Sequence, residues 1–209
     1  MDGFLLVGGQ SRRFGGPKHA AILAGRSFAE WGIRNLEAAL GPEARIWLVA
    51  PPGFSLPDLF EHAGERVAQL DDAATARRGP LGGILAACRA GGGIVLAVDL
   101  PAVPVFALRR LGRDTTGVPQ AFQIGGRVQP LAAFWPKEAE ASCESVLRTS
   151  GRVLDAFCYA GGRVLDWRKE DPNRRSTWRF LNVNTPADRE ELVRFWEASE
   201  ETSPENSGS

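Results

Sequence analysis

Apolar runs alternate with amphipathic stretches through the first half of the chain. Apolar runs predict strands at 4–7, 45–50, 66–70 and 93–99, of which the one at 66–70 is the weakest. Helical spacing of apolar residues, or small residues after a glycine-rich turn, predicts helices at 28–40, 58–63 and 84–90. The run at 93–99 stays apolar until its closing aspartate, as a strand buried on both faces requires. This alternation is typical of a doubly wound α/β sheet.

The second half of the chain is less regular but still alternates. Strands are predicted at 119–122, 128–135, 162–166 and 180–184, the first two joined by a hairpin around Gly125-Gly126. Helices are predicted at 138–149, 152–159 and 187–198. Thr185 is the expected N-cap of the last helix, and Pro186 suits its first turn. The polar, acidic composition after this helix predicts a single domain at 1–198 and a flexible tail at 199–209.

Composition narrows the class of protein. The 209 residues are 44% hydrophobic, which is enough for a full core without a disulfide or metal staple. Lys+Arg and Asp+Glu both number 25, which argues against a broad surface for nucleic acid or anionic membrane but leaves room for a local basic pocket. The three cysteines form no Cys-x-x-Cys pair, and no apolar run reaches ~18 residues. We therefore expect a cytoplasmic protein with no nucleic-acid or membrane partner.

The first strand opens into the most informative segment of the sequence, Gly-Gly-Gln-Ser-Arg-Arg-Phe-Gly-Gly-Pro-Lys at 8–18. Its glycines allow backbone N–H groups to approach an anion, and Arg12, Arg13 and Lys18 add positive charge for phosphate oxygens. The spacing is neither that of a Walker loop nor that of the dinucleotide fingerprint. The segment predicts a site for a nucleotide polyphosphate, with an ordinary glycine-rich turn as the alternative.

Acidic residues follow two other predicted strands, at the edge where open α/β sheets bind their ligands. Asp99 closes the all-apolar strand, and a desolvated carboxylate there suits Mg²⁺ held together with phosphate oxygens. A turn or helix-cap role ahead of Pro101 is the alternative for Asp99. Asp71 and Asp72 follow the third strand, where they either contact a ligand or cap a turn.

Two asparagines near the end of the chain are further candidates. Asn182 and Asn184 are two residues apart, which places both side chains on one face of the last predicted strand. Their amide groups could contact a ligand or an ion. The ordinary alternative is an Asx turn at Thr185-Pro186.

Four segments, in this order, resemble the molybdenum cofactor guanylyltransferase family of nucleotidyltransferases. They are the glycine-rich segment Leu6–Lys18, the segment Gly79–Leu85, the strand end Asp99-Leu100-Pro101 and the closing segment Phe180–Asp188. The resemblance covers the chain from residue 1 to about 195. The first segment is shared with sugar-phosphate and cytidine nucleotidyltransferases, whereas the paired Gly8-Gly9 and the Asn-x-Asn-Thr-Pro close favour the guanylyl branch.

The resemblance implies a fold and a reaction. The fold is a Rossmann-like three-layer α/β/α nucleotidyltransferase fold with a mostly parallel central sheet, divided into a nucleotide-binding half at 1–118 and a pterin-side half at 119–198. The reaction is Mg²⁺-dependent transfer of GMP from GTP to molybdenum-loaded molybdopterin, with release of pyrophosphate. Other cofactor-maturation proteins are expected as further partners. A related enzyme using CTP or a sugar phosphate, and a non-catalytic nucleotide-binding adaptor, are the alternatives.

The resemblance also assigns roles to matching positions. It implies catalytic roles for Arg13, Lys18 and Asp99, and GTP contacts for Leu6, Val7, Gly8, Gly9, Lys18, Asp72 and Asp99. It places Asn182 and Asn184 on the molybdopterin side and Mg²⁺ on Asp99. The sequence departs from the family pattern at Val7 (usually alanine), at Pro17 (often aspartate) and at 49–52, where an asparagine is often found. The register at Asp71/Asp72 is open by one residue.

Overall fold

The predicted alternation is present in the computed structural model, which describes residues 1–8, 14–51, 67–71, 79–172 and 176–201. The strands are β1 Asp2–Leu6, β2 Ile22–Leu23, β3 Arg26–Ser27, β4 Ile46–Ala50, β5 Val67–Asp71, β6 Gly92–Ala97, β7 Gln120–Ile124, β8 Arg127–Pro136 and β9 Arg163–Asp166. The α-helices are α1 Phe28–Leu40, α2 Pro80–Arg89, α3 Val105–Leu111, α4 Glu140–Leu147, α5 Val153–Tyr159, α6 Trp167–Glu170 and α7 Pro186–Glu201. Short 3₁₀ turns span Lys18–Ala20, Lys137–Ala139 and Thr177–Phe180.

Seven of the strands form one sheet in the order β5-β4-β1-β6-β8-β7-β9, and β2 and β3 form a separate hairpin. Every strand of the large sheet runs parallel to β1 except β8, which is antiparallel to both of its neighbours. The predicted mostly parallel sheet is therefore confirmed. As a result, the carboxyl ends of β1, β4, β5 and β6 meet at one edge, together with those of β7 and β9.

Helices cover both faces of this sheet, which confirms the three-layer α/β/α architecture. On one face, Phe28 and Leu36 of α1 and Leu108 of α3 pack against Leu5 and Leu96 of the central strands. On the other face, α2, α4 and α5 contribute side chains to a second core cluster, among them Leu81, Ile84, Cys143 and Phe157. The central strands read as apolar runs because both of their faces are buried in these two clusters.

The segment after Lys18 is held by a hairpin and a capped helix. Ala21 O accepts a hydrogen bond from Phe28 N at 2.8 Å, which closes the β2–β3 hairpin onto the start of α1. Ser27 caps that helix, since its side chain accepts from Glu30 N and the Glu30 carboxylate accepts from Ser27 N. The Lys18–Ala20 turn is therefore attached to a well-anchored helix.

One predicted strand is wrong. Residues 180–184 form no strand: the Thr177–Phe180 turn is followed by extended chain that makes one backbone bond to the sheet, from Val183 N to Asp99 O at 2.9 Å. Both edges of β6 are already paired, to β1 and β8, so this segment can only cross the end of the strand. Phe180 and Val183 are buried there, which accounts for the strand-like pattern.

Other helix boundaries in the structure differ from the predicted ones by up to about one helical turn. Helix α3 was not predicted, and α2 begins at Pro80, so the glycine-rich turn predicted at 79–83 is largely helical. The helix predicted at 138–149 is split into the Lys137–Ala139 turn and α4. Helix α7 continues to Glu201, which shortens the predicted tail, while residues 202–209 and the helix predicted at 58–63 lie outside the described residues.

Two further expectations concern the cysteines and membrane spans. Cys88 and Cys143 are buried like ordinary small apolar residues, whereas Cys158 is exposed; all three are free thiols. Among the described residues, no helix combines the length and apolar character that crossing a bilayer demands.

Gly93 is required by the close approach of β1 and β6. It is paired with Asp2 across the two strands, and a Cβ at Gly93 would lie far inside van der Waals contact with Asp2 O. The clash is with backbone, which cannot move aside as a flexible side chain can. This glycine therefore allows the two central strands that position the site to pair at their observed register.

We expect Gly93→Ala to lower the free energy of unfolding by roughly 1–3 kcal/mol, which for a chain of this size lowers the melting temperature by roughly 2–12 °C. Thermal denaturation followed by circular dichroism measures this. Gly117→Ala is the control, because its added Cβ meets only an ordinary contact with Glu138 Cγ at 3.9 Å. Equal melting temperatures for the two variants would contradict the role given to Gly93.

Candidate active site

The backbone after β1 becomes exposed at Gly8, at the carboxyl edge of the sheet. Leu6 and Val7 are 6% and 3% exposed, so both residues belong to the core. Val7 N donates to Val49 O at 3.0 Å, and Val98 N donates to Leu6 O at 3.1 Å, which ties this turn to both neighbouring strands. Gly8 is exposed, and a Cβ there would lie 2.5 Å from Pro51 Cδ, so the close approach to Pro51 favours glycine.

Lys18, Asp99 and Asn184 meet at this edge, although the chain separates them widely. Lys18 Nζ lies 3.3 Å from Asp99 Oδ2 and donates to Asn184 Oδ1 at 2.8 Å. The Lys18 and Asp99 side chains are only 16% and 18% exposed. Lys18, at the end of the basic segment, and the strand-end acid Asp99 therefore converge, as a shared triphosphate site requires.

The negative charge of the Asp99 carboxylate is only partly balanced by its neighbours. Burial raises its pKa above the ordinary value for an aspartate, and the neighbouring Lys18 ammonium opposes that shift. Asp99 Oδ1 is buried and has no hydrogen-bond partner among the residues that the structure describes. A buried carboxylate oxygen without a partner is costly unless a cation or donor reaches it.

Helix α7 supplies a second carboxylate next to this group. Asp188 Oδ2 accepts hydrogen bonds from Asn184 N and Thr185 N, both at 2.8 Å, and Asp188 N donates to Thr185 Oγ1 at 3.2 Å. These contacts confirm Thr185 as the N-cap and form a reciprocal cap at the start of α7. The hydrogen bond from Asn184 N is the main reason that the pKa of Asp188 lies below its usual value, with Lys18 adding a smaller effect.

Asp99 is the candidate for holding a metal ion. The described residues contain no cluster of three or more histidine, cysteine, aspartate or glutamate side chains suited to a metal. A site with one carboxylate fits a hard cation such as Mg²⁺, which commonly takes one or two carboxylates and completes its shell with phosphate oxygens and water. The unpartnered Oδ1 of Asp99 is an oxygen donor of the required kind.

A cleft of about 320 Å³ lies farther along the same edge, lined among others by Gly125, Asp166, Trp167 and Thr177. Trp167 is 2% exposed, and its indole N–H has no hydrogen-bond partner within the described part of the chain. Phe180 packs against the indole with ring centroids 4.9 Å apart, so the cleft is joined to the segment that carries Asn182 and Asn184. No pattern in the sequence indicated this cleft.

The predicted site residues fall into three groups. Lys18, Asp99 and Asn184 are in contact, and Leu6, Val7 and Gly8 lie at the same edge. Asn182 is exposed, and its backbone oxygen accepts from Asn184 Nδ2 at 3.4 Å. Gly9, Arg12, Arg13 and Asp72 lie outside the described residues. Asp188 had no assigned role, although its spacing from Thr185 is that of a capping box.

Comparison with known proteins gives consistent matches over nearly the whole chain. The sequence profile of the MobA-like NTP transferase domain matches residues 3–161. The molybdenum cofactor guanylyltransferase of Acidiphilium cryptum is 33% identical over 191 residues, covering 88% of this chain and 89% of that protein. The probable molybdenum cofactor guanylyltransferase of Opitutus terrae is 33% identical over 199 residues, covering 91% of this chain and 93% of that protein.

Solved structures support the fold. Molybdopterin-guanine dinucleotide biosynthesis protein A from Archaeoglobus fulgidus superposes with a TM-score of 0.76 at 22% identity, covering 95% of this chain and 100% of that one. The fold is also similar to that of 4-diphosphocytidyl-2C-methyl-D-erythritol synthase, with a TM-score of 0.62 at 12% identity, covering 93% of this chain and 99% of that one. The architecture alone therefore does not select the nucleotide.

The raised pKa of Asp99 predicts a pH-dependent stability difference. Because the folded protein holds this proton more tightly than the unfolded chain, the contribution of Asp99 to stability is full below the unfolded pKa, near 4, and is lost as the pH rises through the folded pKa. Asp99→Asn cannot ionise. We therefore expect its melting temperature to rise relative to that of the wild type as the pH is raised from about 4 towards neutrality.

Melting temperatures of both proteins across this range, in buffer containing EDTA and no nucleotide, measure the difference. Glu43→Gln, which removes an exposed carboxylate, gives the baseline for the loss of one surface charge. A constant or shrinking difference between Asp99→Asn and the wild type would show that burial does not penalise the Asp99 carboxylate.

Proposed function

The chain belongs to the MobA-like NTP transferase family and is a nucleotidyltransferase, and on that premise we propose that it transfers GMP from GTP to molybdenum-loaded molybdopterin. The premise is strong because relatives named for this activity align over about nine-tenths of the chain. The observation that carries the proposal is the contact between Lys18 and Asp99, which brings together a cation suited to phosphate oxygens and a carboxylate suited to Mg²⁺.

GTP would lie across the carboxyl ends of β1 and β6. The backbone of Leu6, Val7 and Gly8 remains the predicted contact for guanine and ribose, and Gly8 is the exposed residue of the three. Gly9 and Asp72 remain predicted contacts of the nucleotide. The triphosphate would extend towards Lys18, whose ammonium is already present at this edge.

Mg²⁺ is the proposed cofactor, and Asp99 is the residue that would hold it. When bound, it would neutralise part of the negative charge of the phosphate groups. Lys18 is now paired with Asp99, and with that carboxylate engaged by the metal the Lys18 ammonium would be available to the phosphates. Asp99 Oδ1, which has no hydrogen-bond partner among the described residues, would then contact a cation.

The reaction needs little from side-chain acids and bases. A terminal phosphate oxygen of the acceptor attacks the α-phosphorus of GTP, the new P–O bond forms, and the bond to the β-phosphate oxygen breaks to release pyrophosphate. The attacking oxygen already carries negative charge, so no strong general base is required. Lys18 and Arg13 would stabilise the charge that develops on the leaving pyrophosphate, and positioning supplies the remaining acceleration.

Molybdopterin would approach from the other half of the chain. Asn182 and Asn184 lie between the Lys18–Asp99 pair and the Trp167 cleft, the cleft defined above by Gly125, Asp166, Trp167 and Thr177. The sheet order places β7 two strands from β6, a separation of roughly 10 Å. An acceptor with its phosphate at Asp99 would thus extend its ring system towards this cleft, where the Trp167 indole N–H has no hydrogen-bond partner among the described residues. Partners from cofactor maturation remain a further expectation.

The choice of nucleotide is tested by pyrophosphate release. Purified protein with Mg²⁺ and molybdenum-loaded molybdopterin should release pyrophosphate with GTP and at least about tenfold more slowly with CTP, ATP or UTP, since a base-specific pocket discriminates by 1.4 kcal/mol or more. EDTA should abolish release. Preference for CTP would favour a cytidylyl enzyme, and binding of GTP without pyrophosphate release would favour a non-catalytic adaptor.

Replacing the phosphate-binding lysine tests the mechanism. We expect Lys18→Ala to lower turnover by roughly 100-fold or more, the effect of losing one preorganised group that stabilises developing charge. Lys137→Ala is the control, since Lys137 is exposed and follows the end of the antiparallel strand β8, at the opposite edge of the sheet. Steady-state pyrophosphate release at saturating GTP compares the two. Near-normal turnover of Lys18→Ala would remove Lys18 from the mechanism.

A further inference from the structure

The first turn of α7 reaches the Lys18 segment by two routes. On one side, the Asp188 carboxylate holds Asn184 N at 2.8 Å, and Asn184 Oδ1 in turn accepts from Lys18 Nζ at 2.8 Å. On the other side, Arg189 Nε donates to Ile22 O at 2.9 Å, in the strand that follows the Lys18 turn. Both ends of the segment that presents the lysine are therefore linked to one helical turn.

Hydrogen bonds fix both the backbone position of Asn184 and the orientation of its side-chain amide. Its Nδ2 donates to Asn182 O at 3.4 Å, which leaves Oδ1 facing the Lys18 ammonium. Asp188 fixes the backbone of the same residue. The lysine therefore meets an acceptor whose main chain and amide are both held, and this acceptor is closer than the Asp99 carboxylate at 3.3 Å.

We propose that Asp188 is a positioning residue, which acts through Asn184 to hold the Lys18 ammonium at the mouth of the site. The inference rests on the proposed function for its consequence, the binding of a magnesium nucleoside triphosphate. Lysine has a long, flexible side chain, so an anchor that restricts it in advance lowers the entropy lost when phosphate binds. Asn184 supplies a second acceptor for the ammonium, so Lys18 can leave Asp99 without leaving the site.

A role in positioning differs from a role in capping the helix, and the chain offers a matched pair of variants. Asp188→Ala removes the contact with Asn184 together with half of the cap. Thr185→Ala removes the other half of the cap, the hydroxyl that accepts from Asp188 N, but leaves the Asp188–Asn184 bond in place. Similar melting temperatures for the two variants would establish that the loss of the cap is matched.

Binding of Mg²⁺·GTP in the absence of acceptor, measured by isothermal titration calorimetry, is the first readout. Asp188→Ala and Asn184→Ala should each weaken binding by about tenfold, the size expected for a hydrogen bond to a charged group, and Thr185→Ala by less than about twofold. The double variant Asp188→Ala/Asn184→Ala should be no weaker than the weaker single variant, because the two residues act in series. Additive losses, or an equal loss in Thr185→Ala, would overturn the proposal.

The second readout needs no nucleotide. ¹⁵N relaxation of the Lys18 ammonium in the ligand-free protein should show greater motion in Asp188→Ala and Asn184→Ala than in the wild type or Thr185→Ala. Unchanged motion in Asp188→Ala would overturn the proposal even if GTP binds. If the wild type fails to bind Mg²⁺·GTP, the proposed function fails, while the Lys18 motion still decides the role of Asp188.

Discussion

The pairing of the Lys18 ammonium with the Asp99 carboxylate is the interaction on which the site depends. Asp99 follows a strand whose two faces are covered by helices, so it loses hydration and its pKa rises. Lys18 offsets this loss at one oxygen and leaves the other without a partner in the described part of the chain. The fold thus keeps the Asp99 carboxylate at the carboxyl edge of the sheet with its negative charge only partly balanced. A cation that binds there would stabilise this buried charge.

The sheet order explains how three remote segments form one site. Strand β1 lies beside β6, so the residues that follow each strand emerge next to one another. The segment at 181–184 then crosses the end of β6 and is fixed there by the bond from Val183 N to Asp99 O. Because β6 has no free edge, the late segment is excluded from the sheet and remains available to the site. Its exclusion is what allows Asn184 to reach Lys18.

The sequence predicted the parts of this molecule that depend on local pattern. The central strands and α1 were found because double-sided burial and helical spacing leave clear signals. Lys18 was singled out for its basic, glycine-rich segment and Asp99 for closing an apolar strand, and the structure brings the two into contact. The strand expected at 180–184 was wrong because burial of Phe180 and Val183 imitates a strand wherever extended chain crosses a core. Asp188 was missed although its spacing from Thr185 is that of a capping box, because the link from its cap through Asn184 to Lys18 appears only in the folded chain. The Trp167 cleft was missed because it is formed by tertiary contacts between segments distant in the sequence.

The crossing of β6 by residues 181–184 has a consequence for biosynthesis. A ribosome adds roughly 5–20 residues per second, so Lys18 and Asp99 are made several seconds before Asn184 and the turn of α7 that orients it. During that interval the nascent polypeptide can pair its parallel strands but lacks the anchor for the lysine. The anchored arrangement of the Lys18 ammonium is therefore complete only once translation has passed residue 189.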